Sequence, residues 1–166
     1  SRKLYLPTCK RRFTGFFMCM KDQIKVRYQQ LLQDRIDVFK DMIAQLTEGA
    51  QNDAKGSAGD KHETALSMMH LEQEKLNSKL KEVLDQKAII DRMDPNLVTT
   101  KVALGSLVAV NGMWLFIAAA LPKITFEGKT IIAVSPQAPL GSALMGQEVG
   151  FTTQINGNQY TIAAIF

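Results

Sequence analysis

Apolar residues in the first half of the chain recur every three or four positions. Between residues 20 and 48, Ile24, Tyr28, Leu31, Leu32, Ile36, Phe39, Met42, Ile43 and Leu46 fall on one face of a helix, with charged residues filling the other. No Pro or Gly interrupts this stretch before Gly49. Residues 49–59 (GAQNDAKGSAG) lose the period, and their three glycines among small polar residues predict a flexible loop. The helical period returns over residues 60–92. There Met69, Leu76, Val83 and Ile90 repeat every seven residues, Leu66, Leu80 and Leu84 widen the stripe, and Gln73 and Lys87 interrupt it. Asp94-Pro95 closes that helix, because proline disfavours helical geometry in the residue before it. Two helices with matching stripes and a short connection predict an antiparallel coiled-coil hairpin over residues 20–94, with its tip at 49–63. At 1.5 Å per residue each helix is about 45 Å long. No further long helix is available to complete a four-helix bundle.

Residues 97–166 change to a period of two. Strands are predicted at Leu107–Val110, Met113–Ala118 and Thr130–Val134, then a short helix over Pro139–Met145, then a closing hairpin of Phe151–Ile155 and Gln159–Ile165. Asn111-Gly112 and Asn156-Gly157 stand where two-residue hairpin turns belong. The fold class is therefore α+β: a long helical hairpin followed by a small domain of about 70 residues, near the lower limit for independent folding.

Charge sharpens this division. The formal net charge is +4, yet residues 1–19 carry five bases (Arg2, Lys3, Lys10, Arg11, Arg12) and no acid. Without them, 15 bases face 16 acids, so the body lacks the basic footprint of a protein that binds nucleic acid by itself. Residues 20–94 hold 12 bases and 14 acids, whereas residues 95–166 hold only Lys101, Lys123, Lys129, Glu127 and Glu148. The apolar run Phe13–Met20 contains Thr14 and Gly15 and meets Lys21-Asp22 directly, which is poor signal-peptide grammar. Residues 1–19 are thus expected to be a disordered extension, or sequence upstream of a start at Met18 or Met20. Ala103–Leu121 is free of charge, but Asn111-Gly112 at its centre favours two buried strands over a membrane span. Cys9 and Cys19 form no disulfide framework, which suits a reducing, cytoplasmic setting.

Conventional enzyme motifs are missing: there is no metal-ligand cysteine pair, HExxH, GxGxxG, Walker loop or nucleophile elbow. The remaining chemistry sits in Gly59-Asp60-Lys61-His62-Glu63. Asp60 and Glu63 are three apart, so a helical turn puts both carboxylates on one face. Two adjacent carboxylates are hard oxygen ligands suited to a Mg2+ that also contacts phosphate, and a partner must then complete the shell. The same spacing is a capping box, with Asp60 accepting from backbone amides and Glu63 reaching back. His62 reads as a loop residue, and Met68 and Met69 read as core.

A second motif is Pro139-Leu140-Gly141-Ser142-Ala143-Leu144-Met145-Gly146, followed by Glu148-Val149-Gly150 and the closing hairpin. It resembles the C-terminal signature of the bacterial Gre transcript-cleavage factors, and Gly59-Asp60-x-x-Glu63-x-Ala65 resembles the acidic tip of that family, in the same order along the chain. The resemblance covers about residues 20–166. The chain departs from the pattern at Thr64 after the tip glutamate, and at Ala138, Ser142, Gln147 and Glu148 around the second motif.

The resemblance implies an FKBP-like domain at 97–166 that docks on RNA polymerase, through residues drawn from Pro139, Leu140, Gly141, Leu144, Met145 and Gly146. It implies a coiled coil that enters the secondary channel, and Asp60 and Glu63 that help hold a Mg2+ shared with the polymerase active centre while backtracked RNA is hydrolysed. On this reading the chain is a monomeric elongation factor and not an enzyme itself. It has no cofactor of its own, meets nascent RNA only indirectly, and has neither a membrane nor a small-molecule substrate as partner. Two other functions compete: a regulator that occupies the channel without cleavage, and a prolyl isomerase suggested by the FKBP-like fold alone. Leu140, Leu144 and Met145 suit the small domain's core as well as a docking face.

Overall fold

The computed structural model describes residues 13–53 and 59–166, with side chains described from Cys19 onward except those of Asp53 and Asp60. Residues 1–12 and 54–58 lie outside the described residues. Two long helices come first, α1 (Phe13–Asp53) and α2 (Asp60–Arg92), packed together as a hairpin. The strands and one short helix follow: β1 (Leu107–Val110), β2 (Met113–Ile117), β3 (Ile124–Phe126), β4 (Lys129–Val134), α3 (Pro139–Leu144), β5 (Thr152–Ile155) and β6 (Asn158–Ile165). The architecture is thus α+β. The chain divides into two compact units: Tyr28–Ala88, and a discontinuous unit formed by the residues up to Arg27 together with Ile89–Phe166.

The helices are longer than their stripes. The first begins at Phe13, so residues 13–19, expected as part of a disordered extension, form the opening turns of α1. It also runs through Gly49 to Asp53, where the loop was predicted. One glycine costs a helix about 1 kcal/mol relative to alanine, and the good helix formers around it outweigh that. The tip read as 49–63 is therefore helical at both ends, because α2 already starts at Asp60. Within the helical unit, Tyr28, Leu32 and Ile36 of α1 and Leu76 and Val83 of α2 are buried. They belong to the two stripes, and their spacing of four and seven keeps each row on one side.

In the discontinuous unit the sheet order is β3-β4-β2-β1-β6-β5. Neighbours pair antiparallel except β2 and β4, which run parallel with Trp114 opposite Ile131 and Ile117 opposite Val134. Asn111-Gly112 joins β1 to β2 with both residues at positive φ, the backbone a type I′ turn requires. Asn156-Gly157 does the same between β5 and β6. The three-residue edge strand β3 had no sequence signature. It is too short to show a period, and Pro122 before it limits pairing. Val102, Val108, Val110, Leu115, Ile117, Leu144 and Ile162 form a buried cluster in this unit. Ala103–Leu121 contributes β1 and β2, and no helix among the described residues is long and apolar enough to cross a membrane.

Met20, Ile24, Ile90 and Met93 are also buried in this unit. Lys25 of α1 closes the end of α2, and Lys21 holds the segment that follows it. The Lys25 ammonium donates to the Asp91 carbonyl at 3.1 Å and the Met93 carbonyl at 2.6 Å, and the Lys21 ammonium donates to the Leu97 carbonyl at 2.7 Å. The last carbonyls of a helix have no intrahelical donor, and a cation there also meets the negative end of the dipole. Lys21 is only 3% exposed. Burial lowers its pKa below the ordinary value, and Asp94 opposes that shift in part.

Candidate functional site: the helical tip and the short helix α3

The acidic pair lies where α2 begins. Gly59 precedes the helix at φ +107°, a conformation that glycine tolerates, and its carbonyl accepts from the His62 amide at 3.0 Å. With Asp60 as the first helical residue, Gly59 takes the flanking position. The capping box anticipated Asp60 there, one residue later. The side chain of Asp60 lies outside the described residues. Glu63 is exposed in the first turn of α2.

An open carboxylate of this kind is a competent hard ligand for Mg2+. Among the described residues no group of three or more His, Cys, Asp or Glu side chains converges to hold a metal ion. One carboxylate fills only part of a Mg2+ shell, so an ion held here would share its remaining sites with other ligands. The chemistry Mg2+ supplies when so shared is polarisation of a phosphoryl oxygen and activation of water. The role open to this chain is to hold a carboxylate at a fixed place on a rigid element.

The same end of the helical unit contains a feature that sequence reading missed. A groove of about 480 Å³ runs between the last turns of α1 and the first turns of α2, lined among others by Leu46, Gly49, His62, Leu66, Met69 and Glu72. His62, read as a plain loop residue, is half-buried on its wall. The signal for the groove is Gly49 together with Ala50 and Ala65, small side chains where the stripes continue.

The second motif folds as α3. Pro139 occupies its first turn, where a missing amide costs nothing, and the Ser142 amide donates to the Ala138 carbonyl at 2.7 Å. Gly146 follows the helix at φ +75° and donates to the Val102 carbonyl at 2.8 Å. Gly141 is buried, and a Cβ on it would stand 2.0 Å from the Ser135 carbonyl oxygen. That contact explains a glycine inside a helix: α3 lies directly against the backbone that leads into it.

Of the six residues expected at a docking face, Leu144 is fully enclosed in the core and Gly141 is buried, so neither can touch a partner. Leu140 and Met145 are half-buried and packed on the core cluster, while Pro139 and Gly146 are exposed. The apolar positions of the motif serve packing first, because a unit of this size needs every large side chain it can bury. Just past α3, Lys101 and Glu148 form an isolated bridge with their side chains 3.5 Å apart. No family model matches this chain, and no curated protein matches it.

Proposed function

We propose that this chain is a transcription elongation factor of the Gre type. On this reading it acts in the cytoplasm, binding RNA polymerase through the secondary channel and lending tip carboxylates to an active-centre Mg2+ so that backtracked RNA is cleaved. The observation that carries the reading is the exposed Glu63 in the opening turn of the second helix of a long hairpin. A carboxylate on a stiff two-helix element can be delivered into a narrow channel, and hydrolysis through two metal ions needs such a ligand. The order of parts adds support: hairpin, acidic tip, then a small α+β unit. In that unit a crossover pairs β2 parallel to β4, and α3 carries the Pro-Leu-Gly motif, features that suit an FKBP-like domain. Of the six positions expected to dock, Pro139 and Gly146 are the exposed ones, and Ser142 of the same motif is exposed beside them.

The experiment is retention of the full chain on core RNA polymerase, followed by cleavage in a stalled ternary complex. The unmodified chain is expected to bind and to stimulate magnesium-dependent cleavage. The Asp60→Asn, Glu63→Gln double variant is expected to bind equally and to stimulate none. Failure to bind core polymerase overturns the proposal. Binding without cleavage by the unmodified chain replaces it with a non-cleaving channel regulator, the reading that Thr64, Gln147 and Glu148 favour.

A further inference from the structure

The molecule contains two Asn-Gly turns that are near copies of each other. Asn111 and Gly112 have φ of 49° and 76°, and Asn156 and Gly157 have 51° and 81°. Each Asn follows a β-branched residue, Val110 or Ile155, and each is exposed. Both turns close two-residue hairpins, with Val110 opposite Met113 and Ile155 opposite Asn158. The side chains differ. Asn111 reaches across to β6, where its amide nitrogen donates to the Gln159 carbonyl and its oxygen accepts from the Thr161 amide at 3.0 Å. Asn156 has no such tether among the described residues.

We propose that Asn156 is a site of spontaneous deamidation and that the β6 tether protects Asn111 from the same reaction. In the first step the Gly157 backbone nitrogen attacks the Asn156 side-chain carbon. A carbon–nitrogen bond forms to that carbon, its bond to Nδ2 breaks, and the proton lost by the Gly157 amide leaves with ammonia. Water then opens the cyclic imide at either carbonyl. Opening at the former side-chain carbonyl gives aspartate, and opening at the main-chain carbonyl gives isoaspartate. No oxidant, reductant or enzyme enters. Glycine as the following residue offers no Cβ to hinder the attack, and Gly157 has open space around it. At Asn111 the side-chain carbon cannot swing toward Gly112 until both hydrogen bonds to β6 break.

The product has a structural consequence. Isoaspartate inserts an extra methylene into the main chain of a turn whose length sets the pairing of β5 with β6. A one-residue slip there moves every side chain of the slipped strand to the other face. Phe151, just before β5, and Tyr160, paired with Thr153 within the hairpin, pack against the core cluster.

The test incubates the full chain at neutral pH, in native buffer and in parallel in concentrated urea, and follows both sites by peptide mapping and mass spectrometry. Enzymatic methyl-labelling of isoaspartate confirms the product. Two hydrogen bonds of ordinary net strength make Asn156 about thirtyfold faster than Asn111 in native buffer. In urea the two rates converge, because the tether is gone and the local sequences are equivalent. A native ratio below about tenfold overturns the proposal. A ratio that persists in urea also overturns it, by placing the difference in the local sequence and not in the tether.

Discussion

The two units of this chain spend their apolar residues differently. The sheet unit encloses a continuous cluster in which strands, α3 and the segment at Val102 interlock, and one extra carbon at Gly141 would collide with a carbonyl. The helical unit buries Tyr28, Leu32, Ile36, Leu76 and Val83, and burial fades along the hairpin. Nearer the tip, Phe39, Ile43, Leu46, Leu66 and Met69 are half-buried, and Met68 is 67% exposed. Two packed helices can cover only one stripe each, whereas a sheet with a helix against it can close around side chains on every side. Local opening should therefore begin at the tip and reach the sheet last.

The sharpest way to break this comparison is to make the same substitution in both units. Gly141→Ala in α3 should destabilise the sheet unit by about 3 kcal/mol, because the new methyl group meets backbone that cannot move aside. Urea unfolding read through Trp114 in β2 checks this. An unchanged midpoint would mean that α3 can shift freely.

An intermediate effect is expected from Tyr28, buried in the helical unit, whose phenol is pushed up by desolvation to about 12. Its unfolded counterpart loses a proton near 10.0. Between those values the unfolded state ionises first, so stability falls as pH rises through that window. Tyr28→Phe should flatten that part of the curve relative to the unmodified chain and leave the slope below that window unchanged. Thermal unfolding across the alkaline range measures the difference.

The smallest effect has the opposite sign to the first. Gly49→Ala in α1 adds a methyl group with nothing within 4 Å of it, so helix propensity alone decides. A gain of about 0.5–1 kcal/mol is expected. Slower hydrogen exchange in the last turns of α1 checks it, and faster exchange would show that the tip needs its glycine.

What could be read from the sequence follows the same contrast. The stripes from Ile24 to Leu46 and from Leu66 to Ile90 named the helices, because a repeating period is a signal summed over many residues. Asn111-Gly112 and Asn156-Gly157 located two turns, because only a few residue pairs accept positive φ twice. Helix ends were less legible. Gly49 and the residues before Met20 look like breaks or tails locally, and a helix already under way passes through them. The edge strand β3 is three residues long and turns into β4 through Glu127-Gly128, which lacks the Asn-Gly signature, while the parallel pairing of β2 with β4 is a crossover that no local period encodes. At the tip the pattern Asp60-x-x-Glu63 marked the helix start to within a residue. The groove beside it arises from small residues on two different helices and leaves no contiguous motif. Leu144 was ambiguous because an enclosed leucine and a docking leucine are the same letter.

The sheet unit is also discontinuous, gathering the residues up to Arg27 with those from Ile89 onward. During synthesis Met20 and Ile24 emerge long before the strands of the unit in which they become buried. Joining ends separated by some sixty residues carries a chain-entropy cost that grows only with the logarithm of that separation. If the hairpin zips first, it brings Lys25 up to Asp91 and makes a distant closure a local one. The long helices then act as a folding jig for the sheet.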